Sequence, residues 1–184
     1  LMNKIKAIFF DRDGTIIKHV HYLSNPNEIE LMPGVERVLS FLKSNKIKLF
    51  LHTNQSGVER KFYKLEDVHN CNERMIELLN MGKDVFTKIC IAPNISEIEK
   101  NYRKPSILFP KEIMNEYNFS NTEVLYIGDS ECDLQTAVNI GCTGFALNYN
   151  FKKFQKNFKK EKKIFFYKNW NEIYDVLKKQ INDR

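Results

Sequence analysis

Two carboxylates, Asp11 and Asp13, stand one residue apart in Phe10-Asp11-Arg12-Asp13-Gly14-Thr15, directly after the mostly apolar residues 5–10. In an extended chain, residues two apart point to the same side. Both side chains could therefore face one reacting centre at the carboxyl end of a parallel strand, where crevices form in open α/β sheets. One carboxylate can then serve as nucleophile and the other as its acid/base partner. Two such charges side by side need neutralising. A hard divalent cation, most simply Mg2+, does this and also binds phosphoryl oxygens. Taken by itself, the segment reads equally well as an Asp-Gly turn, so the rest of the chain decides.

Three further segments carry matching chemistry. Residues 48–52 form an apolar strand that ends in Thr53-Asn54-Gln55-Ser56-Gly57, where a hydroxyl and nearby amides suit a phosphoryl oxygen. Arg103-Lys104-Pro105 supplies a fixed cation just before a helix expected to be capped by Ser106. Val124-Leu125-Tyr126-Ile127 runs into Gly128-Asp129-Ser130-Glu131-Cys132-Asp133, which adds carboxylates. Each has an ordinary alternative when read singly: turn formers at Thr53 and Asn54, a solvated Lys104, a helix cap at Asp129.

The elements that must position these residues alternate strand and helix, the pattern of a parallel sheet covered on both faces. Strands are expected near residues 5–10, 48–53, 85–91, 123–127, 143–147 and 163–167. Helices are expected near 34–45, 65–80, 107–118, 131–140 and 170–181. Pro33 and Pro110 suit early helical positions, and Asn45 and Gly141 suit stops. The 184 residues, 42% of them apolar, predict one domain spanning 1–184.

In this order, each at a strand end or helix start, the four segments resemble the haloacid dehalogenase superfamily over residues 5 to 147. The family motifs read here as Asp11-Arg12-Asp13-Gly14-Thr15, Thr53, Lys104, and Gly128 through Asp133. The resemblance implies a Rossmann-like three-layer α/β sandwich with a mainly parallel sheet. It also implies a Mg2+-dependent phosphomonoester hydrolase that forms an aspartyl phosphate. Asp11 would be the nucleophile and Asp13 the acid/base, with Thr53 and Lys104 on the phosphoryl oxygens. One Mg2+ per chain would be held by Asp11, the Asp13 backbone carbonyl and Asp129. Asp133 would orient either Lys104 or a metal-bound water. The stretches where the family inserts caps are too short here for a separate cap domain, so loops 16–32, 54–64 and 92–105 are expected to shape the pocket.

Within the superfamily, the chain is most similar to the small capless branch that holds the heptose bisphosphate and histidinol-phosphate phosphatases. The carrying residues are the first motif, Tyr22, Met32-Pro33-Gly34-Val35, Thr53-Asn54-Gln55-Ser56-Gly57 and Arg103-Lys104-Pro105. By that similarity Arg103, Asn54 and Tyr22 are candidates for substrate contact, and a small phosphorylated sugar is the expected partner. Three departures bear on the substrate. Cys90 is the one residue left of the branch's zinc loop, so no structural zinc is expected. The first loop reads His19-Val20-His21-Tyr22 where the branch has Asp-His-Gly-Tyr, and Ser130 replaces a common lysine. A histidinol-phosphate phosphatase and a polynucleotide 3'-phosphatase are the alternatives among enzymes, and a non-catalytic phosphate-binding protein the alternative outside them.

Charge and composition narrow the partners. The net charge of +6 equals that of residues 151–163, with seven lysines against Glu161, so the excess is local. A solvated lysine segment packed down by Phe151, Phe154 and Phe158 is expected there, because a nucleic-acid footprint spreads over a face or groove. No apolar run is long enough to span a membrane. The start shows no signal-peptide pattern, and the cysteines Cys71, Cys90, Cys132 and Cys142 form no close pair. Reduced thiols and a cytoplasmic monomer follow as expectations. Of the histidines, His19 and His21 are expected at the surface and His52 in the core, while His69 has no motif attached.

Overall fold

The computed structural model describes residues 4–96, 101–147 and 155–182. Six strands form one sheet: β1 (Ala7–Phe10), β2 (Lys48–Asn54), β3 (Lys88–Ala92), β4 (Val124–Gly128), β5 (Thr143–Leu147) and β6 (Ile164–Tyr167). They lie in the order β3-β2-β1-β4-β5-β6, and every pairing is parallel. Five helices connect or flank them: α1 (Val35–Ser44), α2 (Leu65–Leu79), α3 (Leu108–Tyr117), α4 (Glu131–Ile140) and α5 (Trp170–Asn182). Among the described residues no helix is long and apolar enough to cross a membrane.

The central strands are buried on both faces, which explains why they read as continuous apolar runs rather than alternations. Their residues still divide by parity. Ile8 and Phe10 of β1, Leu49 and Leu51 of β2, and Leu125 and Ile127 of β4 join the core beneath α1, α2 and α5. Ala7 and Phe9, Phe50, and Val124 and Tyr126 join the opposite core beneath α3 and α4. The result is the expected three-layer sandwich. Phe9 lies between Phe50 and Tyr126, with ring centroids 5.2 and 5.7 Å away, tying the three central strands together on that face.

Helix ends follow local chemistry. The Ser130 N–H donates to the Asp133 carboxylate at 3.1 Å, one half of a capping box that opens α4. Asn80, Asn118 and Gly141 close α2, α3 and α4 in left-handed conformations. Ser106 is expected to cap α3, but Ile107 takes the N-cap position without a side-chain bond, and Ser106 accepts from the Leu108 N–H at 3.3 Å from one residue further out.

One strand departs from expectation. The apolar run at 85–91 predicts a strand there, yet β3 begins at Lys88 and extends to Ala92. Val85 and Phe86 are buried from a turn instead, with the Val85 N–H donating to the Gly82 carbonyl. The ladder starts only where Thr87 N–H reaches the Leu49 carbonyl at 2.7 Å, so the two residues contribute core volume without strand pairing. In the lysine segment, Phe158 is buried at 4% exposure as expected, while Phe151 and Phe154 lie outside the described residues.

Candidate active site

From β1 the sheet grows one way through β2 and β3 and the other way through β4, β5 and β6. The crevice at the carboxyl ends of β1 and β4 lies at this reversal, the usual location of a site in such sheets. Register does the rest. Phe10 pairs with Ile127 and with Leu51, and the Asp11 N–H donates to the Ile127 carbonyl at 3.0 Å. Asp11 therefore stands level with His52 and Gly128, one residue short of Thr53 and Asp129 on the adjacent strands.

At the centre, the Lys104 ammonium donates to Asp11 Oδ1 at 2.6 Å and to Asp133 Oδ1 at 2.7 Å. All three side chains are buried. Asp133 thus holds Lys104, and its other oxygen accepts from the Ser130 N–H and hydroxyl. Gly128 leaves room for this arrangement, since a Cβ there would stand 2.3 Å from the Asp133 carboxylate. Asp129 lies over the turn after Asp13: a Cβ on Gly14, whose φ is +80°, would meet its Oδ2 at 2.1 Å. Trp170 at the start of α5 braces the same turn by donating to the Thr15 carbonyl at 2.9 Å.

Asp13 is oriented by residues that sequence reasoning did not single out. The Arg12 guanidinium, 1% exposed, donates to both Asp13 oxygens at 3.1 and 3.2 Å and to Asn72 Oδ1 at 2.9 Å. The Gln55 amide donates to Asp13 Oδ2 and to the Thr53 hydroxyl, both at 2.8 Å, while its own oxygen accepts from the Tyr63 hydroxyl. Asn72 carried a signal that could have found it. It is a buried amide on the same stripe of α2 as Val68, Cys71, Met75 and Leu79, where a side chain of its type needs a partner.

The three candidates for substrate contact differ in their surroundings. Asn54 brackets the Lys104 backbone, accepting from its N–H at 2.9 Å and donating to its carbonyl at 3.2 Å. Arg103, half-buried, donates one guanidinium N–H to the Asn94 carbonyl at 3.1 Å. Tyr22, with φ +50°, packs edge-on against the exposed Phe62 at 4.6 Å. Phe62 precedes the Tyr63 that supports Gln55, so this aromatic cluster borders the Asp13 side of the site. His19 and His21 are exposed, as expected of them.

Burial pushes the Asp11 carboxyl up to about 7 against the pull of Lys104, with Asp133 and Asp13 adding to the rise. Burial, then Asp11 and Asp133, push Asp129 up to about 8. Burial opposes the Lys104 ammonium as well, but the two carboxylates outweigh it and hold the group well above the ordinary lysine range. One ammonium thus faces more carboxylate charge than it balances. One oxygen each from Asp11, Asp129 and Asp133 lie within 4.8 Å of one another. Asp133 is already engaged by Lys104 and Ser130. The remaining hard oxygen donors, in a site short of positive charge, fit a divalent cation such as Mg2+. Among the described residues, Cys90 joins no comparable group of His, Cys, Asp or Glu side chains.

His52 is fully buried, as expected, and bonded at both ring nitrogens. Its Nε2 lies 2.7 Å from the Tyr102 carbonyl, which can only accept, so Nε2 carries the proton and Nδ1 accepts from the Tyr126 hydroxyl at 2.8 Å. Burial, with Lys104 adding, pushes its pKa from 6.5 down to about 3. The unfolded chain takes up a proton on His52 below about pH 6.5, and the folded protein does not until about pH 3. Stability is therefore lost as pH falls through that window, by up to about 1.4 kcal/mol per pH unit from this group. His52→Leu is expected to flatten the pH dependence of the urea midpoint between about pH 6 and 4. An unchanged slope would show that other groups govern acid unfolding.

The haloacid dehalogenase-like hydrolase family matches residues 11–147. The chain belongs to this family. Its relatives include the D-glycero-alpha-D-manno-heptose-1,7-bisphosphate 7-phosphatase of Campylobacter jejuni, 27% identical over 96% of this chain and 98% of that protein. The histidine biosynthesis bifunctional protein HisB of Blochmanniella floridana is 29% identical over 82% of this chain and 44% of its own length. Among solved structures, the D,D-heptose 1.7-bisphosphate phosphatase from B. bronchiseptica, complexed with magnesium and phosphate, superimposes with a TM-score of 0.83. It covers 94% of this chain and 98% of its own at 23% identity, a likeness of fold. Site and relatives together make the chain a phosphatase.

Proposed function

We propose that this phosphatase is Mg2+-dependent, works through an aspartyl phosphate on Asp11, and takes a small sugar phosphate such as a heptose bisphosphate. The observation that carries the reading is the buried Lys104 ammonium shared between Asp11 and Asp133 beside Asp129. It supports the reading because a carboxylate suited to attack, a fixed cation and further carboxylate share one crevice. The substrate class is supported by the near-complete coverage between this chain and the Campylobacter jejuni enzyme.

Asp11 attacks phosphorus, so that a carboxylate O–P bond forms as the P–O ester bond breaks, and Asp13 protonates the departing alkoxide. Asp13 then takes a proton from water, whose oxygen attacks phosphorus and releases the Asp11 carboxylate and inorganic phosphate. Lys104 and the Thr53 hydroxyl match the charge on the phosphoryl oxygens. Arg12 and Gln55 hold Asp13 in one orientation through both steps. Asp11, Asp129 and the Asp13 backbone carbonyl would hold Mg2+, which when bound offsets the carboxylate and phosphoryl charge.

The test is a turnover panel of heptose bisphosphate, histidinol phosphate, a 3'-phosphorylated oligonucleotide and an aryl phosphate, each with Mg2+ and with chelator. Fastest turnover of the sugar phosphate, abolished by chelator, is expected. Absence of turnover on the whole panel with Mg2+ present would overturn the reading. Arg103 tests the substrate class. A guanidinium offers a planar donor fork suited to paired sugar hydroxyls or a second phosphate. Arg103→Ala is expected to raise KM for the sugar phosphate about tenfold while leaving KM for an aryl phosphate within about twofold. Equal effects on both would remove the sugar-phosphate assignment and leave a generic phosphatase.

A further inference from the structure

We propose that His52 is a positioning residue that sets the loop carrying Lys104, an inference that rests on the phosphatase reading above. The strand before Thr53 is otherwise apolar, Leu49-Phe50-Leu51, and its histidine is fully buried. A buried imidazole is tolerated in a core only when both nitrogens are satisfied, and here one of them is satisfied by the loop. Residues 52 and 54 of β2 share a side of the strand. His52 donates to the Tyr102 carbonyl at 2.7 Å, and Asn54 brackets the Lys104 N–H and carbonyl. Strand residues 52 and 54 thus stitch down loop residues 102 and 104 at the same two-residue interval, a ladder continued by side chains.

The second nitrogen makes this grip directional. Because the Tyr126 hydroxyl donates to Nδ1, the N–H is held on Nε2, aimed at Tyr102. Tyr126 belongs to β4, and the Phe109 ring of α3 meets the imidazole edge-on with centroids 5.2 Å apart. The imidazole is therefore fixed from two further elements and relays their position to the loop. The consequence falls on Lys104, whose ammonium must meet Asp11 and Asp133 together at 2.6 and 2.7 Å. Misplacement of a charged group by about 1 Å is enough to cost up to about 100-fold in rate.

The test is a double-mutant cycle on the full chain with Mg2+, reading kcat on an aryl phosphate, with thermal melts in parallel. His52→Leu is expected to lower kcat about tenfold in the otherwise wild-type protein and by less than about twofold in a Lys104→Met background, because the lysine it would position is gone. His52→Asn keeps a polar amide too short to span to the Tyr102 carbonyl and gives the same comparison if the leucine variant does not fold. An equal factor in both backgrounds would mark His52 as a structural residue only and overturn the proposal, as would an unchanged kcat. A wild-type protein that turns over neither the aryl phosphate nor any other member of the substrate panel overturns the reading of function and this inference with it. Turnover by the wild type with an equal factor in both backgrounds overturns the inference alone.

Discussion

Asp11→Asn is expected to lower kcat by on the order of 10^4-fold or more, since an amide can neither attack phosphorus nor balance a cation. The fold should survive. Asparagine is isosteric with aspartate, Lys104 keeps its 2.7 Å bond to Asp133, and the substitution removes one of the carboxylates that burial and mutual repulsion push upward. The melting temperature in chelator should accordingly stay within a few degrees of wild type. A purified Asp11→Asn protein with near-normal kcat would rule out the covalent route. Unfolding of the variant would instead show that the Asp11–Lys104 contact is needed to close the core beneath the site.

Lys104→Met is expected to damage both stability and catalysis, with the two losses separable by metal. Methionine keeps an unbranched side chain, one atom shorter, but removes the only cation seen between Asp11 and Asp133 among the described residues. Removing one partner of a buried ion pair typically costs about 3–5 kcal/mol, because the remaining charge is stranded. In chelator, the denaturant midpoint should fall by an amount of that order. Added Mg2+ should recover part of it by supplying charge to the same carboxylates. Turnover should not recover. Loss of a charge matched to the transferring group costs about 10^2 to 10^3 in kcat for alkyl and aryl phosphates alike. A variant as stable as wild type in chelator would mean that Asp11 and Asp133 accommodate each other without the ammonium. A variant that loses turnover of the sugar phosphate only would place Lys104 on the substrate's distal part.

The sequence by itself determined the parts of this protein whose chemistry is local. A carboxylate nucleophile with an acid/base partner, as proposed here, needs one spacing on one strand end, so Asp11 and Asp13 could be read as candidates once the other three segments were set beside them. The other three segments were legible because each ends an apolar run or opens a helix. The sheet was legible because strands buried on both faces leave continuous apolar stretches. Only the tertiary structure decided which side chains hold these groups in place. Arg12 was given no role from the sequence, and it is buried and bonded to Asn72, 60 residues away. Asn54 looked like a substrate contact, and its amide is engaged with the Lys104 backbone. Asp133 could orient Lys104 or a metal-bound water, and its carboxylate accepts from the Lys104 ammonium at 2.7 Å. His52 read as core packing, and it is also hydrogen-bonded at both ring nitrogens. Each of these pairings joins elements brought together by crossover connections, so its partner depends on strand order and register. Neither of those is encoded in the spacing of any one segment.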